Sequence, residues 1–452
     1  MLDKMIGKKE VKNIYNVDTI VTDVMSEKIE LWGQIYTNKS PWLTSEIKSL
    51  NLGAAVSSEM ARLVTIEMES LIEGSPRAEY LQQEYDRVLD IVRQKVELGL
   101  AKGGIVLKPY VNDDEVLIDY VQAESFFPIT ISNNGVVTEA VFVDRLKKGD
   151  QLYYNKLEYH KFDKGNEYIY SQLFKSSSAN ILGTKVPLQS LPEYEQIVDE
   201  ITFTGLEKPL FAYFKNPMSN TIEPGNPMGQ SVFEKATEQI EEADKQWSRF
   251  LWENESAERA LDVDSGAFRK DPTTGYWEIP HGKERLFRRL ESIDSTPIYH
   301  DWSPDIRNED LLNGLDAILR KIEFNCGLAY GTISDPQSID KTATEVKQAR
   351  QRSWSTIRDI QKQLKQTLKH TVYVMDYLTT IYNLAPSGKY EISFVWDDSI
   401  ITDKDSEKLQ DQMDVTAGLM AKYEYRMKWY GETEDIAKQM VAEIQGQQPQ
   451  LI

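Results

Sequence analysis

Apolar side chains recur at helical spacing over much of the chain, and the breaks in that rhythm divide it. From Pro41 through Leu71 the positions Ile47, Leu50, Ala54, Ala55, Met60, Leu63, Val64 and Met68 read as helix. A second stripe, Leu81, Val88, Ile91, Val92, Val96 and Leu100, predicts a helix over Glu79–Leu100 that packs beside it. Past Gly103-Gly104 the period changes. IVLKPYV, VLIDYV, VTEAVFVDRL, LYYNKLEYHKF and EYIYSQLF are short runs rich in Val, Ile, Tyr and Phe, separated by Asn-Asp, Asn-Asn-Gly, Lys-Gly-Asp and Gly-Asn turn signals. They predict an antiparallel sheet ending near Phe174. The passage NPMSNTIEPGNPMG, Asn216–Gly229, then marks a boundary.

Beyond it, Ser231 with Glu234 three residues on fits a capping box. Phe233, Ala236, Ile240, Ala243, Trp247 and Phe250 line one face of a long helix, and Glu241, Glu242, Asp244 and Lys245 fill much of the remainder. Phe250, Leu251 and Trp252 are adjacent and cannot all face one partner. So much apolar surface around one helix predicts burial against several neighbours, other subunits included.

The rhythm fails between Leu261 and Trp302, where short strand-like pieces surround turns at Asp271-Pro272 and Thr274-Gly275. It resumes from about Ile306 to Ala329 on Leu311, Leu312, Leu315, Ile318, Leu319, Ile322 and Phe324. After the linker YGTISDPQSIDKTATEV comes the longest stripe, starting near Thr342: Val346, Trp354, Ile357, Ile360, Leu364, Leu368, Met375, Leu378 and Ile381. Unbroken, that helix is about 60 Å long. A strand over Lys389–Trp396, a helix bearing Val415, Leu419, Met420, Tyr423, Met427 and Trp429, and a short amphipathic helix over Thr433–Ile444 complete an α+β, mainly helical chain.

Composition narrows the chemistry. One cysteine, Cys326, excludes an internal disulfide and every multi-cysteine metal pattern. Fifty-two basic against 72 acidic side chains give a net charge of −20, which argues against a protein that grips nucleic acid through its phosphates. The same charge suits a surface that DNA passes without adhering. The opening MLDKMIGKKEVKNIYN lacks an apolar h-region, and no segment approaches the roughly 20 apolar residues of a membrane span, so a soluble intracellular protein with no membrane partner is expected.

The phosphate-loop, dinucleotide-binding, HExxH and GxSxG patterns are all missing, and no cofactor is expected. His160, His281, His300 and His370 are scattered and read as surface or half-buried polar residues. Asp397, Asp398, Asp403 and Asp405 offer hard-cation ligands for a metal-dependent nuclease or phosphoryl-transfer enzyme, although the same residues are ordinary turn and helix-start signals. The Lys102-Gly103-Gly104 turn suits a bend into the sheet better than an anion site. Between Arg269 and Arg289, the basic Arg269, Lys270, Lys283, Arg285, Arg288 and Arg289 outnumber Asp271, Glu278 and Glu284, which reads either as a solvated turn region or as a local docking or phosphate-facing surface in an acidic protein.

Four stretches carry a resemblance: PMGQSVFEKATEQIEEADKQWSRFLWE (Pro227–Glu253), ERALDVD (Glu258–Asp264), DKTATEVKQARQRSWSTIRDIQ (Asp340–Gln361), and FVWDDSIITDKDSEKLQDQMDVTAGLMAKYEYRMKWYGETED (Phe394–Asp435). Together with the order of helices and sheet they resemble the portal protein of tailed bacteriophages, in the branch from phages and prophages of Gram-positive bacteria. That resemblance implies a structural protein, not an enzyme: a ring of twelve copies at one capsid vertex of the virion, assembled in the host cytoplasm. Its axial channel admits double-stranded DNA during packaging, without reading its sequence, and releases it at infection.

The implied partners are the terminase large subunit, head-completion or adaptor proteins, and the major capsid and scaffolding proteins. The implied layout is a wing over residues 1–228 with its sheet region at 104–215, a stem helix at 229–257, a clip at 258–305, and a second stem helix at 306–329. A tunnel loop, long wing helix and strand follow over 330–397, and a crown over 398–452. Ser334, Asp335, Gln337, Asp340 and Lys341 would stand in the tunnel loop near DNA. The six basic residues of the insert would form the clip docking surface, and Phe233, Trp247, Phe250 and Trp252 would serve stem and subunit packing. The competing readings are the metal-dependent enzyme using Asp397–Asp405 and a portal-like connector of a defective prophage particle.

Overall fold

The computed structural model describes residues 8–179, 181–257, 260–264, 273, 287–290, 299–302, 305–335, 343–396 and 404–446. They fall into two units, 1–66 with 70–393 and 67–69 with 394–452. The larger opens with helices α1 (Lys8–Tyr15), α2 (Asp23–Tyr36) and α3 (Leu52–Thr65). The Thr22 hydroxyl accepts the Met25 N–H to cap α2, which buries Met25, Ile29, Trp32 and Ile35 along one stripe.

Helix α3 is shorter than the apolar spacing over Pro41–Leu71 predicts. The residues before it bond across the fold: Leu50 donates its N–H to Asp244 Oδ1 (2.7 Å), Lys48 its N–H to Ser248 Oγ (2.8 Å), and Trp42 its indole N–H to Asp244 Oδ2 (2.9 Å). Asn51, with φ 56°, then turns the chain into the helix. At the far end Met68–Glu73 is strand β1, hydrogen-bonded to residues 391–396.

Helix α4 (Pro76–Lys102) starts at Ser75, whose hydroxyl accepts the Ala78 N–H, with proline in its first turn. Gly103 ends it at φ 87°, and a Cβ there would stand 2.6 Å from the Gly229 carbonyl oxygen, so only glycine permits this crossing of backbones. The Gly103 carbonyl accepts the Asn216 N–H and Lys102 pairs with Glu124. The Lys102-Gly103-Gly104 turn is thus a bend into the sheet, its cation paired within the chain.

Strands β2 (Gly104–Asn112), β3 (Glu115–Gln122), β4 (Phe126–Ile131), β5 (Val137–Lys147), β6 (Tyr153–Asp163), β7 (Asn166–Ser176), β8 (Thr184–Val186), β9 (Glu200–Thr204) and β10 (Ala212–Lys215) form two antiparallel sheets. One has the order β10-β2-β3; the other has β4-β5-β6-β7-β8, with β9 also on β7. Left-handed residues at Asp113-Asp114 and Lys164-Gly165 make the tight hairpins between β2 and β3 and between β6 and β7. Pairing therefore continues well past Phe174, where the sequence pattern puts its end.

Helix α5 (Thr237–Ser256) follows, then strands β11 (Ala260–Asp264), β12 (Phe287–Leu290) and β13 (Tyr299–Trp302), with β12 parallel and β13 antiparallel to β11. After α6 (Asn308–Cys326), helix α7 (Ala343–Ile381) runs unbroken for 39 residues, about 58 Å. It buries Ile357, Ile360, Leu364, Leu368, Val372, Met375 and Leu378, and packs on α3, α4, β2 and β10. Arg77, almost wholly buried, ties α4 to it: Nε meets Asp376 Oδ1 at 2.7 Å and Nη1 donates to the Ala385 carbonyl at 2.9 Å. Strand β14 (Glu391–Trp396) is the partner of β1.

The smaller unit holds α8 (Lys404–Thr416), α9 (Lys422–Tyr430) and α10 (Glu434–Gly446). The spacing from Val415 to Trp429 predicts one helix, but Gly418 at φ 74° separates two, and the Glu424 carboxylate accepts the Ala421 N–H to start α9. Asp411 joins α8 to α9 by accepting the Trp429 indole N–H and pairing with Lys428. Among the described residues no helix is long and apolar enough to cross a membrane.

Candidate functional site

Helices α5 and α6 form an antiparallel hairpin around the β11–β13 insert. At one end Asn325 donates its amide N–H to the Lys235 carbonyl and to Gln239 Oε1; midway the Gln246 amide reaches the Leu311 carbonyl. At the other end the Arg307 guanidinium grips the Glu253 carboxylate at 3.0 and 2.8 Å, and Asn308 bonds Asn254 at 2.8 Å. These contacts hold Glu253 below the usual carboxylate range, chiefly through the Arg307 hydrogen bond.

The capping box predicted at Ser231 does not form. Glu234 accepts the Trp32 indole N–H (2.6 Å) and the Lys28 ammonium (2.7 Å), so its carboxylate is spent on α2 and the chain makes a 3₁₀ turn over Glu234–Ala236 before α5 begins. Phe233, Ala236, Ile240 and Ala243 are buried inside the chain. The far half of the hairpin is different. Trp247 and Phe250 stack at 5.2 Å and are only half-buried, Leu251 is 39 % exposed and Trp252 65 %, and Ile306 and Leu312 on the second limb are 47 % and 43 % exposed. Of the four residues expected to serve stem and subunit packing, Phe233 is buried in the core of its own chain, while Trp247, Phe250 and Trp252 present apolar surface that the described residues leave partly or largely open.

Past α6 the backbone turns at Gly327, φ 77°, and folds back on the helix it has left. Ser334, expected in the tunnel loop near DNA, is buried in this chain and donates its hydroxyl to Glu323 Oε2 at 2.8 Å. Asp335 is exposed, with its N–H on Asp316 Oδ1 at 2.8 Å. Gln337, Asp340 and Lys341 lie outside the described residues. So do Arg269, Lys270, Lys283 and Arg285 of the basic insert; Arg288 and Arg289 lie on β12, opposite Asp262 and Val263 of β11. Asp397, Asp398 and Asp403 are likewise outside. Among the described residues no group of three or more His, Cys, Asp or Glu side chains is placed to hold a metal ion.

One charged cluster escaped the sequence reading. His160, buried rather than half-exposed, sits between two carboxylates, with Nδ1 2.7 Å from Glu167 and Nε2 2.8 Å from Glu158. Glu158 also meets Lys108 at 2.7 Å and Lys156 at 3.2 Å, and Glu167 accepts the Leu210 N–H at 2.6 Å. Burial pulls the imidazole pKa down, but the two carboxylate hydrogen bonds outweigh it and the net shift is upward. For Glu158 burial pushes up, and Lys108, Lys156 and His160 together bring it well below the ordinary range. The alternation of β6 hints at such a cluster, since Glu158 and His160 fall on the same face of one strand. His370, half-buried as expected, bonds the Pro209 carbonyl at 2.8 Å, and desolvation of its ring lowers it to about 4. Neither histidine opens on a site; both fasten the segment before β10.

The family model described as "Phage portal protein, SPP1 Gp6-like" matches residues 76–450, which takes in α4, both antiparallel sheets, the hairpin, α7 and α8 to α10. No curated protein matches the chain.

Proposed function

The chain belongs to the phage portal protein family, SPP1 Gp6-like, a family of structural rather than catalytic proteins, and from that premise we propose that it is the head-to-tail connector of a phage or prophage of a Gram-positive bacterium. Twelve copies close into a ring at one capsid vertex, the terminase motor drives double-stranded DNA through the axial channel, and the DNA leaves by the same route at infection. Family membership supports the connector role; the uncovered apolar half of the α5/α6 hairpin supports the ring. An isolated soluble chain rarely leaves a tryptophan 65 % exposed beside other exposed apolar residues unless a partner covers them. A heterologous contact repeated around a closed axis supplies that partner from a second copy.

In this reading residues 1–228 are the wing and α5 and α6 are the stem. The insert at 258–305 is the clip, whose basic residues dock the terminase large subunit and later head-completion or adaptor proteins. Residues 398–452 form the crown. Asp335, with Gln337, Asp340 and Lys341, stands near DNA, and a like-signed acidic ring keeps the polyanion from adhering. No base is read, because nothing in this arrangement needs base-edge contacts. The ring also seeds assembly of the major capsid and scaffolding proteins. Single-particle imaging of the purified full chain tests the proposal: an open ring with α5 and α6 around its axis supports it, and a compact monomer under assembly conditions overturns it.

A further inference from the structure

The start of the connection from α6 to α7 is held chiefly by the carboxylate of Glu323. Glu323 lies in the last turn of α6 and is fully buried. Its Oε1 accepts the N–H groups of Ile333 (2.7 Å) and Ser334 (3.0 Å); its Oε2 accepts the Gly331 N–H (3.2 Å) and the Ser334 hydroxyl (2.8 Å). Four donors from three residues, Gly331, Ile333 and Ser334, thus converge on one carboxylate, which satisfies the anion and fixes the path of the backbone. Asp316, two turns back on the same helix, takes the Asp335 N–H at 2.8 Å. From the other side Arg352 of α7 donates to the Phe324 carbonyl at 2.6 Å and lies 3.7 Å over the Phe324 ring.

We propose that Glu323 is a positioning residue that makes residues 331–335 move as one body with α6, so that any shift of that helix carries the start of the connection with it. The proposal rests on the reading of α6 as a channel helix. A neutral apolar anchor could bury the same volume, but it could not gather three backbone N–H groups and a hydroxyl, and without them the segment would take its own path. A carboxylate therefore suits a base that must follow the helix without slack.

The test uses the full chain with Glu323→Gln and, as a milder change, Ser334→Ala. Rings are counted by imaging, amide exchange is followed residue by residue over 329–335, and DNase-protected DNA per filled particle is measured with terminase, ATP and linear double-stranded DNA. We expect Glu323→Gln to form rings as the parent does, to raise exchange at Gly331, Ile333 and Ser334 about tenfold, and to lower packaged DNA several-fold at equal ring number. Thr332, whose N–H bonds the Ala329 carbonyl, is the internal control and should change less. Ser334→Ala should fall between; if Glu323→Gln gives no rings, the same two readouts on Ser334→Ala decide. Unchanged exchange overturns the anchor, and raised exchange with normal packaging overturns its role. Failure of the parent chain to form rings would instead sink the portal reading.

Discussion

The sheet around His160 and the far half of the α5/α6 hairpin are finished to different degrees. In the sheet, His160, Glu158, Glu167, Lys108 and the Leu210 N–H satisfy one another inside one chain. In the hairpin, hydrogen bonds and an ion pair join the two limbs, while Leu251, Trp252, Ile306 and Leu312 remain open. A polar cluster must be closed within the subunit, because a buried charge left unpaired is costly. Apolar surface can wait for a second copy, since the hydrophobic effect is not directional. The first region therefore completes the subunit, and the second is the surface on which the proposed assembly rests.

The largest effect should come from breaking the closed region. Glu167→Ala leaves His160 with one carboxylate and strands the Leu210 N–H, and should cost the isolated chain about 3–5 kcal/mol of unfolding free energy, read by denaturant titration. Loss below about 1 kcal/mol would show that the cluster is not closed as described. Next, Trp252→Ser should change the stability of the chain by less than about 0.5 kcal/mol yet weaken ring association by about 2 kcal/mol or more per interface. Sedimentation and thermal unfolding on the same sample separate the two effects. A variant that unfolds but still assembles would reverse the comparison.

Smaller still is the pH dependence of the cluster. His160, raised above its ordinary 6.5, contributes stability that is complete below that value and is lost as the pH rises through its folded pKa. Glu158 works in the opposite sense: its contribution is present above its ordinary 4.5 and is lost as the pH falls towards its depressed folded value. The stability difference between the parent and His160→Gln should therefore be greatest on the acid side of neutrality and shrink in alkaline buffer; a difference that grows with pH would contradict the assignment. Least of all, Glu253→Gln should leave the hairpin folded, because the Arg307 side of the pair is open to solvent although Glu253 is largely covered, and its slight effect on melting temperature should shrink in high salt.

What was legible in the sequence follows the range of the forces involved. α4, α6 and α7 could be read because their apolar stripes are local and long, and Ser75 and Gly327 mark two of their ends with residue types suited to caps. Strand β1 could not, because its partner lies more than 300 residues on and Met68–Glu73 continues a helical rhythm. Ser231 and Glu234 had the right spacing for a capping box, but Lys28 and Trp32 offered the carboxylate stronger partners from a distant helix. Glu323 left a faint trace, a charge four residues after Leu319 on an otherwise apolar stripe; the loop that makes it intelligible comes later in the chain. The aromatic cluster Trp247–Trp252 raised the right question, since its surplus apolar surface needs no fold to be noticed.

The central claim is that copies of this chain cover the open half of the hairpin around a common axis. A reconstruction of the purified assembly tests it directly through one quantity, the exposure of Trp252. The account predicts a closed ring in which that indole, 65 % exposed in one chain, is buried against the next subunit. A ring that leaves Trp252 in solvent, or a protein that remains monomeric at any concentration reached, would contradict it.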